Sequence, residues 1–110
     1  MQKKGNVKLV VFVPLSHVDA VLAALGEAGA GKLGNYDSCS FSTKGTGRFR
    51  GNDKSHPAIG KAGVLEAVEE ERIEVTVPRA ILADVIKKMK TAHPYEEVAF
   101  DVYSLEDVIK

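Results

Sequence analysis

A histidine followed closely by two carboxylates, in the stretch HPYEE at His93–Glu97, is the set of side chains best suited to chemistry in this chain. Imidazole and carboxylate together suit divalent transition metals, so His93 with Glu96 or Glu97 forms a candidate metal site. Such a site binds tightly only with further ligands from elsewhere or from another subunit. The alternative is structural, because Pro94 forces His93 out of helical geometry, so that a helix ends there and Tyr95 packs at the turn.

The other candidate residues are dispersed along the chain. His56 lies in a long predicted loop, where it is either exposed or in contact with a neighbouring subunit. Cys39, in the triplet SCS, is interpreted as a small buried strand residue. The segment GTGRFRG is similar to glycine-rich phosphate-binding loops, but it lacks the GK[ST] ending and opens onto no helix, so a hairpin turn is favoured. Arg48 and Arg50 remain candidates for contact with an anion.

The composition limits the classes of partner. The 110 residues include 15 Lys plus Arg and 15 Asp plus Glu, so the formal net charge is zero. A balanced charge favours neither nucleic acid nor an anionic membrane as partner. A single cysteine forms no internal disulfide, and neither an apolar leader nor an apolar run of about 20 residues is recognised. We therefore expect a cytoplasmic protein with one domain over residues 1–110.

Hydrophobic periodicity predicts three elements and a turn in the first half of the chain. Apolar residues fill both faces of a strand at Val7–Pro14, which is typical of the middle of a sheet. Ser16 is expected to cap the helix that follows. A second strand is predicted at Tyr36–Ser42, followed by a tight turn at Lys44–Gly47, after which the short segment RFRG pairs back. Residues 52–63 are expected to form an irregular loop, which is longer than a compact domain usually tolerates without a function.

The second half is predicted to contain a strand, a helix and a closing strand. Charged and apolar residues alternate over Glu70–Pro78, although residues 64–71 also have helical propensity. The acidic run Glu69–Glu71 is interpreted as a solvated face. Pro78 opens the second helix, whose apolar stripe recurs at helical spacing from Ile81 to Met89. Residues 97–105 form the last strand, and residues 106–110 form a tail. This order defines an α+β, ferredoxin-like βαββαβ fold, an antiparallel sheet with both helices on one face. Its second face is left uncovered, so self-association as a homo-oligomer, either a dimer or a trimer, is expected.

Several longer motifs resemble one known family. GAGxxGNYxxCSF, GTGxF and HPYEEVA occur in this order, and over about Lys8–Leu105 the chain resembles the YqfO-type domain inserted in Nif3-like dinuclear-metal hexameric proteins. The resemblance implies a CutA/PII-like fold, which in those proteins is ferredoxin-like and trimeric. It also implies no catalysis, because the metals of the larger proteins are held by segments flanking the insert. The chain departs from the family pattern at His56, Arg50 and Phe100.

These observations favour a non-catalytic, oligomeric binding or regulatory module. One alternative is a CutA-like protein that binds a divalent metal ion, and another is a small hydrolase with its site between subunits. An unknown protein or small molecule is the expected partner beyond the second copy. The residues predicted to contact ligand or partner are Tyr36, Cys39, Arg48, Phe49, His56 and Tyr95, and those predicted for a metal are His93, Glu96 and Glu97.

Overall fold

The fold consists of four strands and two helices. A computed structural model describes residues 4–106, so the predicted tail lies outside the described residues from position 107 onward. A short 3-10 turn precedes each helix, at Leu15–His17 and at Arg79–Ile81. In chain order the elements are β1 (Asn6–Pro14), α1 (Val18–Glu27), β2 (Phe41–Phe49), β3 (Glu66–Pro78), α2 (Leu82–Ala92) and β4 (Phe100–Ser104).

The strands form one antiparallel sheet in the order β2-β3-β1-β4, which confirms the predicted ferredoxin-like topology. β1 lies in the middle, with Leu9 opposite Val75 on one side and opposite Val102 on the other. Among residues 4–106, no helix is both long enough and apolar enough to cross a membrane.

The hydrophobic core lies between the sheet and the two helices. Alternate residues of β1 and β3 face the helices, because side chains of a strand point to opposite sides in turn. The predicted apolar stripe of α2 packs against them, with Val85 and Met89 fully buried and the rest of the stripe partly buried. The central members of the core are Val7, Leu9, Val11, Val13, Val21, Leu25, Ile73, Val75 and Val77.

The predicted helix cap at Ser16 is wrong. Helix α1 begins at Val18, its N-cap position is His17, and no side chain caps it. Ser16 lies inside the 3-10 turn that follows Pro14, and its hydroxyl forms a 2.8 Å hydrogen bond with Nδ1 of His17. The turn delays the α-helix by three residues and so removes Ser16 from the position at which a cap acts.

The predicted strand at 36–42 and the turn at Lys44–Gly47 are also wrong. β2 begins only at Phe41, runs unbroken through Lys44–Gly47 and pairs with β3 over nine residues, so the segment RFRG does not fold back on it. Neither Gly45 nor Gly47 has a positive φ. β3 begins at Glu66, which settles residues 66–71 as strand. The ladder with β3 holds the glycines in extended conformation, and the irregular loop lies at residues 50–65.

Strands β2 and β3 project beyond the rest of the sheet. β1 pairs with β3 over Glu70–Pro78, whereas β2 pairs with it over Glu66–Glu74. Residues 46–49 and 66–69 therefore form a two-stranded projection, called the arm below. The Cα radius of gyration is 15.2 Å and the extents are 50 × 29 × 22 Å. A compact domain of this length has a radius of gyration of about 13 Å, so the molecule is elongated.

Candidate functional site

A cavity of about 650 Å³ lies on the face of the sheet opposite the helices, called the open face below. Its floor is the open face of β2 and β3, and its walls are residues 50–59 and the chain between α2 and β4. Residues 50–65, the covering loop, therefore shield part of the face that was expected to be bare. Most of the exposed lining is apolar, which is typical of small-molecule sites.

Glu70 is the buried acid at the floor of this cavity. The residue is 8% exposed, and its Oε2 accepts a 3.1 Å hydrogen bond from the hydroxyl of Tyr95. The other oxygen, Oε1, lies over Gly47, where a Cβ would stand 1.9 Å from it. The carboxylate of Glu70 thus occupies the space that a side chain at position 47 would fill, so any such side chain would displace it.

Tyr95 joins the HPYEE stretch to the sheet. Burial, together with the hydrogen bond and charge of Glu70, raises the pKa of Tyr95 to about 12. Its hydroxyl therefore remains protonated and donates to Glu70. Its ring lies 5.9 Å from that of Phe49 and 4.9 Å from that of His93, measured between centroids.

His93 holds the end of α2 against the central strand. The residue is 6% exposed, the backbone N–H of Tyr95 donates to Nδ1 at 3.2 Å, and Nε2 lies 2.7 Å from the carbonyl oxygen of Phe12. Since Nδ1 accepts, the proton is on Nε2 and is donated to Phe12. Burial lowers the pKa of His93. The ring is therefore neutral near pH 7, with both nitrogens in hydrogen bonds.

The covering loop is fastened to the HPYEE stretch by one long-range hydrogen bond. The backbone N–H of His56 donates to Oε1 of Glu96 at 2.7 Å across 40 positions of sequence. Glu96 and Glu97 are exposed at the rim of the cavity. The imidazole of His56 is not needed for this contact, which requires only its main chain.

The structure brings most of the predicted site residues together and separates two of them. Tyr36 is 74% exposed outside the cavity, and Cys39 lines a separate pocket of about 250 Å³ beside α1. His56 and His93 are adjacent to the cavity through the hydrogen bonds given above. The predicted residues that line it are Arg48, Phe49, Tyr95, Glu96 and Glu97.

Two residues of the cavity were not recognised from the sequence. Glu70 was interpreted as part of a solvated acidic run, Glu69–Glu71, and Gly47 as part of a turn. The available signal was the alternation along β3, which puts Glu70 on the face opposite Ile73 and away from the helices. No local pattern indicates that a covering loop buries that face.

The described part of the chain, residues 4–106, contains no cluster of three or more His, Cys, Asp or Glu side chains arranged to hold a metal ion. His93 binds a metal only if the ion displaces one of its two hydrogen-bond partners. Glu96 retains a second oxygen and Glu97 is exposed, so a carboxylate is available at the rim.

The pKa shift of His93 predicts a pH-dependent stability. The ordinary pKa of histidine is about 6.5, and the pKa of His93 in the folded protein is lower. In the pH range between these two values, only the unfolded chain binds a proton at His93. The free energy of unfolding should therefore decrease as the pH falls below about 6.5, and His93→Gln should remove this part of the dependence. Urea unfolding at about pH 7.5 and at about pH 5 measures this dependence in the unmodified protein and in the His93→Gln variant.

A His56→Gln variant is the matched control, since that side chain is exposed and its main-chain bond to Glu96 is retained. This variant should keep the pH dependence of the unmodified protein. An unchanged dependence in His93→Gln would contradict the assignment of a neutral, buried imidazole.

The fold is shared with proteins of the CutA class. The periplasmic divalent cation tolerance protein CutA from Archaeoglobus fulgidus superposes with a TM-score of 0.68 over 96% of this chain and 89% of that chain, at 16% identity. At that identity the likeness concerns the fold alone. It supports the α+β, ferredoxin-like class defined by the sheet order.

The chain is more similar in sequence to Nif3-like proteins, as the motifs predict. The Bacillus cereus protein related to NIF3 matches with a TM-score of 0.79 and 48% identity over 97% of this chain and 27% of that chain. The GTP cyclohydrolase 1 type 2 homolog of Mycobacterium leprae is 50% identical, and that of Halalkalibacterium halodurans 52%, each over 98 residues, 89% of this chain. The chain spans about a quarter of the length of these curated relatives, 26% of each. No family model matches the chain.

Proposed function

We propose that this chain is a non-catalytic, cytoplasmic, homo-oligomeric binding module that holds a small ligand in the cavity of the open face. The cavity is the observation that carries this proposal. A covering loop of sixteen residues, 50–65, is long for a connection between two adjacent strands, and such loops usually have a function. Here the loop walls a cavity of ordinary ligand size.

The polar groups around the cavity support binding rather than catalysis. The ring nitrogens of His93 are both hydrogen-bonded, and the hydroxyl of Tyr95 stays protonated against Glu70. These contacts fix the position of both side chains, and neither the imidazole of His93 nor the hydroxyl of Tyr95 is free to act as a base or a nucleophile. We transfer no cyclohydrolase activity from the curated relatives, because most of their length lies outside the aligned segment.

The arm and the edge strand support assembly. β2 is an edge strand with nine residues, and its outer row of backbone groups is free to pair with another chain in the described structure. Long exposed edges are normally covered or blunted in soluble proteins. Phe41 on this strand is 68% exposed, and Val64 and Leu65 are exposed beside the arm. A second copy that covers these apolar side chains removes them from water.

The solution mass tests the assembly. Light scattering should give two or three times the chain mass of 11.8 kDa. Phe41→Lys should shift the mass toward the single chain, because it introduces a charge onto the open face at the free edge.

Leu33→Lys is the matched control, since Leu33 is also 68% exposed but lies outside the sheet. It should leave the mass unchanged. A protein that is monomeric without any substitution would refute the assembly, and dissociation by both substitutions equally would refute the open face as its site.

A divalent metal ion held by His93 with Glu96 or Glu97 is the alternative hypothesis. The name of the Archaeoglobus fulgidus protein, a divalent cation tolerance protein, is the finding that favours it. Metal content after purification without an affinity tag separates the two hypotheses. A stoichiometric ion that is lost in His93→Ala would favour the metal, and a protein that folds and assembles without one would favour the module.

A further inference from the structure

Glu70 is a buried carboxylate without a matching positive charge. Among residues 4–106 the structure records one hydrogen bond to its side chain, from the neutral hydroxyl of Tyr95, and no ion pair. A buried carboxylate normally needs an opposite charge or several hydrogen bonds, because removing it from water is costly. The other oxygen, Oε1, has no recorded partner and lies where the cavity and Gly47 meet. Within residues 4–106 no fully buried side-chain oxygen lacks a partner, so Oε1 is accessible from the cavity.

Four cationic residues line the cavity, Lys44, Arg48, Arg50 and Arg72, and within residues 4–106 the structure records no hydrogen bond or ion pair between any of them and Glu70. Arg72, two residues along β3, forms an ion pair with Glu74 at 3.3 Å and lies over the ring of Phe12 at 5.7 Å. Lys44 and Arg48 are on the face of β2 opposite the one shared by Gly45, Gly47 and Phe49, because strand residues alternate.

The walls of the cavity suit an apolar body with a positive end. Tyr95, which is bonded to Glu70, and Phe49, which packs against Tyr95, supply aromatic rings on this side of the cavity, and aromatic faces attract cations. The ring of Phe12 also lines the cavity, but it already lies under Arg72. Pro57, Ala58 and Ile59 add apolar surface from the covering loop. The negative charge is thus at the floor, and apolar groups surround the path to it.

We infer that the cavity binds a small primary alkylammonium compound whose ammonium group donates to the carboxylate of Glu70 and whose apolar chain lies against the aromatic rings. This inference rests on the proposed binding role and adds the chemical class of the ligand. It does not depend on assembly. A free small molecule, rather than a lysine of a second copy, fits a cavity that the covering loop already walls on one side.

Three ligands with the same chain length test the inference on the unmodified protein. n-Pentylammonium, n-pentanol and n-pentanoate carry a positive, a neutral and a negative end, and the amide signals of Gly47 and Tyr95 in NMR titrations report their binding. A hydrogen bond between charged groups should make the ammonium dissociation constant at least about tenfold lower than that of the alcohol. Equal or tighter binding of the alcohol or the acid would overturn the inference.

Glu70→Gln and Glu69→Gln form a matched pair of variants. Both remove one negative charge from adjacent positions of β3, but Glu69 is exposed and on the other face. Glu70→Gln should raise the ammonium dissociation constant by about tenfold or more, to the level of the alcohol, whereas Glu69→Gln should leave it unchanged. An unchanged constant in a folded Glu70→Gln protein would overturn the inference, and the three-ligand comparison decides if that variant does not fold.

Solution mass in the presence of n-pentylammonium identifies the source of the cation. An unchanged mass supports a free ligand, whereas dissociation that depends on ammonium would overturn it in favour of a lysine from a second copy. A monomer that still binds n-pentylammonium would refute assembly alone, and an oligomer that does not bind it would refute the ligand class alone.

Discussion

Replacing Gly47 with alanine is expected to lower the free energy of unfolding by about 1–3 kcal/mol, while Gly45→Ala should change it by less than about 0.5 kcal/mol. The two glycines are in the same strand and on the same face, and neither has a positive φ. They differ in their surroundings. A Cβ on Gly47 would stand 1.9 Å from Oε1 of Glu70, whereas a Cβ on Gly45 would have no heavy atom within 4 Å.

The difference between these variants measures the space that Glu70 occupies. Urea unfolding gives the two free energies, and the signal of Tyr95 in NMR reports whether its bond to Glu70 is kept. Gly47→Ala should shift that signal and weaken n-pentylammonium binding, because Glu70 must move away from the strand. Equal costs for the two substitutions would show that the glycines serve strand conformation and not the carboxylate.

Gly31→Ala should lower the free energy of unfolding further, by more than about 3 kcal/mol. Gly31 has a φ of 79°, and a Cβ there would stand 2.5 Å from the carbonyl oxygen and 2.8 Å from the nitrogen of Cys39. Backbone atoms cannot rotate away as a side chain does. The N–H of Gly31 donates to the carbonyl of Thr76 at 2.8 Å, and that of Cys39 donates to Gly31 at 2.9 Å, so the substitution also disturbs the approach to β2.

Gly34→Ala separates conformational strain from close approach. Gly34 also has a positive φ, 56°, but no heavy atom lies within 4 Å of the position of its Cβ. Gly34→Ala should therefore lower the free energy of unfolding by about 1 kcal/mol, which is the strain of a left-handed backbone conformation alone. Chemical denaturation compares both variants with the unmodified protein, and similar losses would refute the role of the contact with Cys39.

The fold could be predicted from local patterns, because each pattern has a period that indicates its element. The alternation in β3 and the apolar stripe of α2 were sufficient to place both elements and the buried faces. Ser16 shows the limit of this reasoning. A serine before a helical pattern is a frequent cap, yet the 3-10 turn after Pro14 depends on how β1 joins α1 and leaves no local signal.

The cavity could be predicted only in part. The HPYEE stretch and the pair Arg48 and Phe49 were recognised by residue type, and they line it or lie beside it. Glu70 was missed because its burial depends on Tyr95, which lies 25 positions away, and on a covering loop fastened to Glu96 from 40 positions away. A sequence window spanning one element contains neither partner.

By itself, the sequence determined the order of strands and helices and the face of each that avoids water, since side-chain periodicity encodes both locally. The tertiary structure alone decided that β2 passes unbroken through its two glycines, that the covering loop encloses a cavity, and that one acid of an acidic run is buried there. Those outcomes depend on which strand pairs with which residue and on what lies above it. Long-range contacts set them, and adjacent residues carry no record of such contacts.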